Sequence, residues 1–265
     1  NIRGGTSLLG SDDGVLTLLT EITIPNRVTM LREWTFSECI GLTKITIPDS
    51  VTNIGDNAFE RCTSLTEITI PDSVVSIGSC AFVRCTSLRE ITIPDSVARI
   101  EGDTFMGCTS LTGITIPDSV SSIGDFAFSE CTGLTEITIS ESVTRIGSFA
   151  FADCTDLAKI TILNPTCKIY DFSSDATIYG YEGSTAQTYA EQYDRAFVSL
   201  GKAPAYEIGD IDRDGTTGLS DTVRLQKYLL TGKGISATWA ALADLNADGK
   251  LTAADLTLLK RQLLA

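Results

Sequence analysis

The sequence predicts a mainly β solenoid, built of short strands with a short helical or 3-10 turn in each coil, followed by a small all-α unit. Three observations predict it. A Leu-x-x-Ile-Thr-Ile block recurs seven times at an interval of 23 residues. Within the block, apolar and polar residues alternate with the period of a strand. Near the C-terminal end, two acidic twelve-residue segments start 34 residues apart, and each runs into a helical pattern.

The repeat begins at Leu19, Leu42, Leu65, Leu88, Leu111, Leu134 and Leu157. Isoleucines follow at Ile22, Ile45, Ile68, Ile91, Ile114, Ile137 and Ile160, and again two residues later from Ile24 to Ile162. Successive side chains of a strand point to opposite faces, so the isoleucines face inward and the intervening threonines outward. Pro25, Pro48, Pro71, Pro94 and Pro117 end the strands, because proline cannot continue the ladder. Each repeat then turns back through segments such as Ile54-Gly55, Ala58-Phe59 and Cys62. A single coil cannot bury its apolar side alone. Stacked at roughly 4.8 Å per coil, seven coils make one continuous core in which only neighbours touch.

This pattern resembles the BspA-type leucine-rich repeats of bacterial surface and secreted proteins over about residues 19–200. The ending from Ala176 to Ala190 looks like that family's C-terminal cap. The resemblance implies a leucine-rich repeat solenoid used for adhesion or protein binding. Residues 1–18 are then an N-terminal edge or cap.

Net charge is −14, nearly all of it on the repeat region, and there is no histidine. An acidic body repels phosphate backbones and anionic lipid, so neither nucleic acid nor membrane insertion is expected. The lack of histidine removes histidine-based acid–base work, histidine-activated nucleophiles and histidine-ligated zinc. Carboxylate-pair chemistry passes this filter. Cys39, Cys62, Cys85, Cys108, Cys131 and Cys154 form a ladder at the repeat period. Equivalent positions of successive coils point the same way, which disfavours disulfides and favours a column of small buried side chains. Cys80 and Cys167 stand off the ladder.

Several surface columns are candidates for a ligand face. The threonines from Thr23 to Thr161 suit ice binding, but β-branched strand filling accounts for them. Beside them run Glu21, Lys44, Glu67, Glu90, Gly113, Glu136 and Lys159. That column has no aromatic residue on which to stack a sugar; a protein-contact face and a merely solvated face fit it equally. Asp49, Asp72, Asp95 and Asp118 follow prolines and read as turn residues rather than cation ligands. An irregular column holds Trp34, Asn57, Cys80, Asp103, Phe126 and Phe149, in which Phe126 and Phe149 make an apolar patch. The residues expected to face a ligand are Glu67, Glu90, Phe126, Glu136 and Phe149.

Residues 201–206 read as a linker. Beyond them, calcium-loop signatures begin at Asp210 and Asp244. Calcium takes six to eight oxygens, and a twelve-residue loop supplies them from positions 1, 3, 5, 7, 9 and 12, with glycine at 6 for the sharp turn. The first loop offers Asp210, Asp212, Asp214, Thr216 and Asp221, with Gly215 at the turn. The second offers Asp244, Asn246, Asp248, Lys250, Thr252 and Asp255, with Gly249 at the turn. Thr216 and Lys250 contribute through their backbone carbonyls. Helices are expected over 221–230 and 255–264, with none before the first loop.

A duplicated loop-then-helix with aspartate at position 12 resembles a type I dockerin over residues 207–265. The resemblance implies two calcium ions and a cohesin module of a scaffoldin as partner, within a cellulosome. It also places cohesin contacts at Leu219, Ser220, Arg224 and Lys227 in one half, and at Ala253, Ala254, Leu258 and Arg261 in the other. The expected function is that of an extracellular, cellulosome- or cell-surface-associated binding protein. It is not expected to be an enzyme. The solenoid's ligand is an unidentified protein or surface. A plant cell wall-degrading enzyme and a structural spacer are the alternatives.

Overall fold

The computed structural model describes residues 20–213, 215–232, 234–235 and 239–264. The N-terminal edge at 1–18 and the loop residue Asp214 lie outside the described residues. The chain forms two compact units that divide between Leu200 and Gly201.

The first unit is a parallel β-solenoid. Each coil opens with a strand such as Lys44–Thr46 or Glu67–Thr69, in which isoleucine is buried between two exposed residues. Neighbouring coils pair one repeat apart, Ile22 with Ile45 and Ile45 with Ile68. A turn follows, closed by the valine N–H on the proline carbonyl, as from Val51 to Pro48 at 2.9 Å. In this turn it is serine that ties coils together: Ser50 and Ser73 donate to the Val28 and Val51 carbonyls of the preceding coil, each at 2.7 Å. Cys167 donates its backbone N–H to Asn164 and so takes the place of this valine, which accounts for its burial. A second short strand comes next, as at Asn53–Ile54 and Ser76–Ile77, which pair in parallel.

The return segment is a ribbon of overlapping turns. Two left-handed residues recur in it: Asn57 and Arg61, Cys80 and Arg84, Phe126 and Glu130, Phe149 and Asp153, all with φ of 55–59°. The irregular sequence column from Trp34 to Phe149 is therefore a column of left-handed backbone, which non-glycine residues adopt at a cost. That conformation is held by inter-coil bonds: the N–H groups of Asn57, Phe59 and Arg61 donate to the carbonyls of Ser79, Ala81 and Val83 at 2.8–3.0 Å.

Phe36, Phe59, Phe82, Phe105, Phe128 and Phe151 run through the core as a stack with centroids 5.3–5.7 Å apart. Beside them, the cysteine ladder does more than fill space. Five of the six ladder thiols donate to the carbonyl of a phenylalanine one coil back: Cys62 to Phe36, Cys85 to Phe59, Cys108 to Phe82, Cys131 to Phe105 and Cys154 to Phe128, at 3.0–3.2 Å. Each of these carbonyls also accepts the backbone N–H of the cysteine three residues on, as Phe59 does from Cys62 at 3.1 Å, so the thiol fills a second lone pair and ties one coil to the next. All eight cysteines are free thiols.

The stack ends where Phe172 turns edge-on to Phe151 and packs on Tyr189 of helix α1 (Thr185–Gln192). Ser184 caps α1 by accepting from the Gln187 N–H at 3.3 Å. Ala186, Tyr189 and Ala190 of α1 are buried, so the helix closes the apolar end that a further coil would otherwise cover.

One step departs from the repeat. The first-side strands form a sheet that ends at Gly113–Thr115, and a new sheet begins at Glu136–Ile139. Thr112 donates to the Arg89 carbonyl, and Ala158 to that of Thr135. The corresponding bond between Thr135 and Thr112 is absent among the described residues. The coils remain bonded on their other sides, as from Thr144 to Ser121 and from Phe105 to Ala127.

In the second unit, α2 (Leu219–Thr231), α3 (Ala240–Ala243) and α4 (Ala253–Gln262) surround a small core of Ile211, Leu225, Ala243 and Leu259. No helix precedes α2 among the described residues of this unit. Both α2 and α4 start two residues before the expected positions. Asp221 and Asp255 accept N–H bonds from Gly218 and Thr252, at 2.6 and 2.8 Å, and this caps the helices at those earlier residues.

Candidate functional site

The two loops of the second unit concentrate carboxylates at their bases. Asp221, fully buried, accepts from the Ile211 and Asp212 N–H groups at 2.6 and 2.8 Å as well as from Gly218. The aspartate at loop position 12 therefore binds the start of its loop to the start of the following helix. Asp210 is buried and accepts from the Gly215 N–H at 3.1 Å. Gly215 and Gly249 have φ of 88° and 79°, and a Cβ at either would meet no atom within 4 Å. It is backbone conformation, not crowding, that requires glycine at position 6.

The structure brings Asp210, Asp212 and Asp221 together, with oxygens within 4.8 Å of one another. Three carboxylates this close, two of them buried, repel each other, and a cation removes the repulsion. An all-oxygen donor set is the chemistry of a hard divalent ion such as calcium. The second loop is organised differently. Asp244 accepts from the Asp248 and Gly249 N–H groups, and the Asn246 amide donates to Asp248 at 3.0 Å. Asp255 is buried; burial alone would raise its pKa, but the bonds it receives from Thr252 and Asn246 hold it below the usual carboxylate range. Among the described residues this loop has no carboxylate trio of the first loop's kind.

Loop one should accordingly hold calcium at least as tightly as loop two. It carries one more carboxylate, although Gly218 offers no side chain where Thr252 has a hydroxyl. Calorimetric titration of Asp210→Ala against Asp244→Ala measures each surviving site. A clearly weaker first site refutes the ordering.

Of the expected cohesin contacts, Leu219, Ser220, Lys227, Ala253, Ala254 and Arg261 are exposed. They occupy helical positions, with Leu219 and Ser220 in the opening turn of α2 and Ala253 and Ala254 in that of α4. Arg224 and Leu258 are half-buried, and Arg224 donates to the Gly234 carbonyl at 3.1 Å. Val223, absent from the sequence-based set, is 58 % exposed and lies one turn from Leu219 on the same face. Its i+4 spacing from Leu219 was the available signal.

On the solenoid, the expected ligand residues divide between two places. Glu67, Glu90 and Glu136 stand on the first-side strands, while Phe126 and Phe149 stack at 5.1 Å on the return ribbon. Phe126 and Phe149 are 38 % and 42 % exposed, so no neighbouring loop covers them. Where the sheet breaks, a groove of about 600 Å³ is lined by Glu90, Gly113, Thr115, Glu136 and Thr138, among others.

Comparison with known proteins places both units. The family described as BspA type Leucine rich repeat region matches residues 16–108 and 75–175, and Dockerin type I domain matches residues 208–264. Among solved structures, a leucine-rich repeat protein from Bacteroides ovatus is 29% identical over 71% of this chain and 64% of its own, with a TM-score of 0.45. A leucine rich cell surface protein from Faecalibacterium prausnitzii is 31% identical over 65% and 62%, with a TM-score of 0.35. A leucine-rich repeat protein from Eubacterium ventriosum is 34% identical over 51% and 42%, with a TM-score of 0.42. The chain thus spans less than two thirds of each of these proteins. No curated protein matches it. Both matched modules are non-catalytic. No helix among the described residues is long and apolar enough to cross a membrane.

Proposed function

The chain belongs to the BspA-type leucine-rich repeat family and carries a type I dockerin domain, and on that premise we propose that it is an extracellular binding protein of a cellulosome. The dockerin implies a cohesin partner and a requirement for calcium. In this reading two calcium ions, one per loop, hold the dockerin in its docking form. The solenoid, as an interaction or adhesion module, engages a second protein or a surface. Asp210, Asp212, Asp214, Thr216 and Asp221 serve the first ion; Asp244, Asn246, Asp248, Lys250, Thr252 and Asp255 serve the second.

One observation carries the docking surface. Leu219, Val223 and Leu230 are 74 %, 58 % and 78 % exposed on α2, and Lys227 shares their helical face. An apolar stripe of this kind left in water marks a contact surface. The corresponding positions of the second half are Ala253, Thr257, Arg261 and, beyond the end of α4, Leu264; alanine and threonine there replace the exposed Leu219 and Val223. The calcium frame is duplicated and the contact face is not, so cohesin binds in one orientation, with α2 leading.

The test is cohesin affinity of the full chain in calcium, for the wild type and for Lys227→Glu and Arg261→Glu. Losing a central contact costs on the order of 1–2 kcal/mol, so Lys227→Glu should weaken binding roughly tenfold more than Arg261→Glu. Two single variants that bind like wild type, with a double variant that fails, would show interchangeable halves. Absence of cohesin binding in calcium would remove the docking reading altogether.

A further inference from the structure

The column on the first-side strands carries four glutamates and two lysines, with Gly113 at the step where the sheet breaks. Lys44 pairs with Glu67 at 3.6 Å, and Lys159 with Glu136 at 3.4 Å. Glu90 has no ion pair among the described residues. Its neighbours in register are Glu67, already engaged by Lys44, and Gly113. A like charge directly opposite is unfavourable, so Glu90 lacks a cation on the Gly113 side. At Gly113 a Cβ would meet nothing within 4 Å, so the glycine is not there for want of space. Here too the sheet is interrupted, leaving the Thr112 carbonyl without its partner N–H from Thr135.

The groove at this step therefore collects acceptors: the carboxylate of Glu90, that of Glu136 (shared with Lys159), the hydroxyls of Thr115 and Thr138, and the Thr112 carbonyl, which has no backbone donor among the described residues. A donor-only cation matches that set. We propose that the groove over Gly113 is a docking slot for an arginine or lysine side chain on an extended segment of a partner protein. That side chain stands over Gly113, on the side of Glu90 where the column offers no cation, with Glu136 beyond it already touched by Lys159. The body of the solenoid, which carries nearly all of the chain's charge of −14, draws such a partner in. This rests on the reading of the solenoid as an interaction module.

The probe is acetyl-Thr-Arg-Thr-amide, titrated into the isotope-labelled full chain in calcium, with the citrulline analogue as the uncharged control. Saturable amide shifts are expected at Gly113, Thr115, Glu136 and Thr138, with a dissociation constant on the order of 1 mM. Glu90→Gln should weaken binding about tenfold, while Glu21→Gln, the same charge change on the same column, should leave it unaltered. Gly113→Lys supplies the cation in cis, and should abolish the shifts without loss of thermal stability. The slot is refuted by shifts spread evenly along the column, by equal effects of Glu21→Gln and Glu90→Gln, by equal binding of the citrulline peptide, or by no saturable shift. It is also refuted if xylohexaose perturbs these amides and the arginine peptide does not. Should the arginine peptide instead shift the amides of Phe126 and Phe149, the interaction module stands and this slot falls.

Discussion

Raising the pH from 9 to 11 should unfold the solenoid. The ladder thiols and Cys167 are buried, and burial raises each thiol from its ordinary value of 9.0: to about 11 for Cys39 and Cys154, to about 12 for Cys108 and Cys167, and further for Cys62, Cys85 and Cys131. In the unfolded chain the thiols ionise near 9. A group whose folded pKa is raised contributes stability that is whole below the unfolded value and lost as pH climbs toward the folded one. The window is thus pH 9 to 11–12. Each buried thiol contributes up to about 1.4 kcal/mol per pH unit there. Seven together remove several kcal/mol per unit, which is comparable to the whole stability of a domain. Thermal melts at pH 8 to 11 should be flat at first and then fall steeply. A Cys85→Ser, Cys131→Ser double variant should fall less steeply, because serine does not ionise and its hydroxyl remains within reach of the Phe59 and Phe105 carbonyls. A solenoid with an unchanged melting temperature at pH 11, or identical slopes for the two proteins, contradicts the ladder's role.

Removing calcium should unfold the C-terminal unit and leave the solenoid intact. The unit's buried apolar core is Ile211, Leu225, Ala243 and Leu259, with partly buried leucines around it. That is little for about 60 residues without a cross-link. Around it stand buried Asp210, Asp221 and Asp255, whose charges are costly without a cation. Metal bound at a thousandfold excess over its dissociation constant adds about 4 kcal/mol per ion, enough to decide whether the unit is folded. The solenoid's core is continuous and owes nothing to these loops. Chelation should therefore abolish the helical signal of Gly201–Ala265 while the thermal transition of the solenoid stays where it was. Helical signal from metal-free protein that is indifferent to chelator refutes this.

The sequence determined the solenoid, its register and the calcium loops, because each is written in spacing. A period of 23 residues places Ile45 on Ile68 and Phe59 on Phe82 without reference to anything distant. Loop positions such as Asp210, Asp221 and Gly215 act within twelve residues of one another. The spacing also carried the cysteines into one buried column, but not their partners: whether a thiol meets a carbonyl depends on the coil behind it. The irregular column from Trp34 to Phe149 was unreadable because its common property is a left-handed backbone, imposed by hydrogen bonds to the next coil and not by any shared side chain. The tertiary structure alone decided where the sheet breaks. Gly113 is one substitution in a column of charges, and nothing local says that the ladder parts there. Only the stacking of two coils, bonded along their other sides and open along this one, turns that missing side chain into a groove.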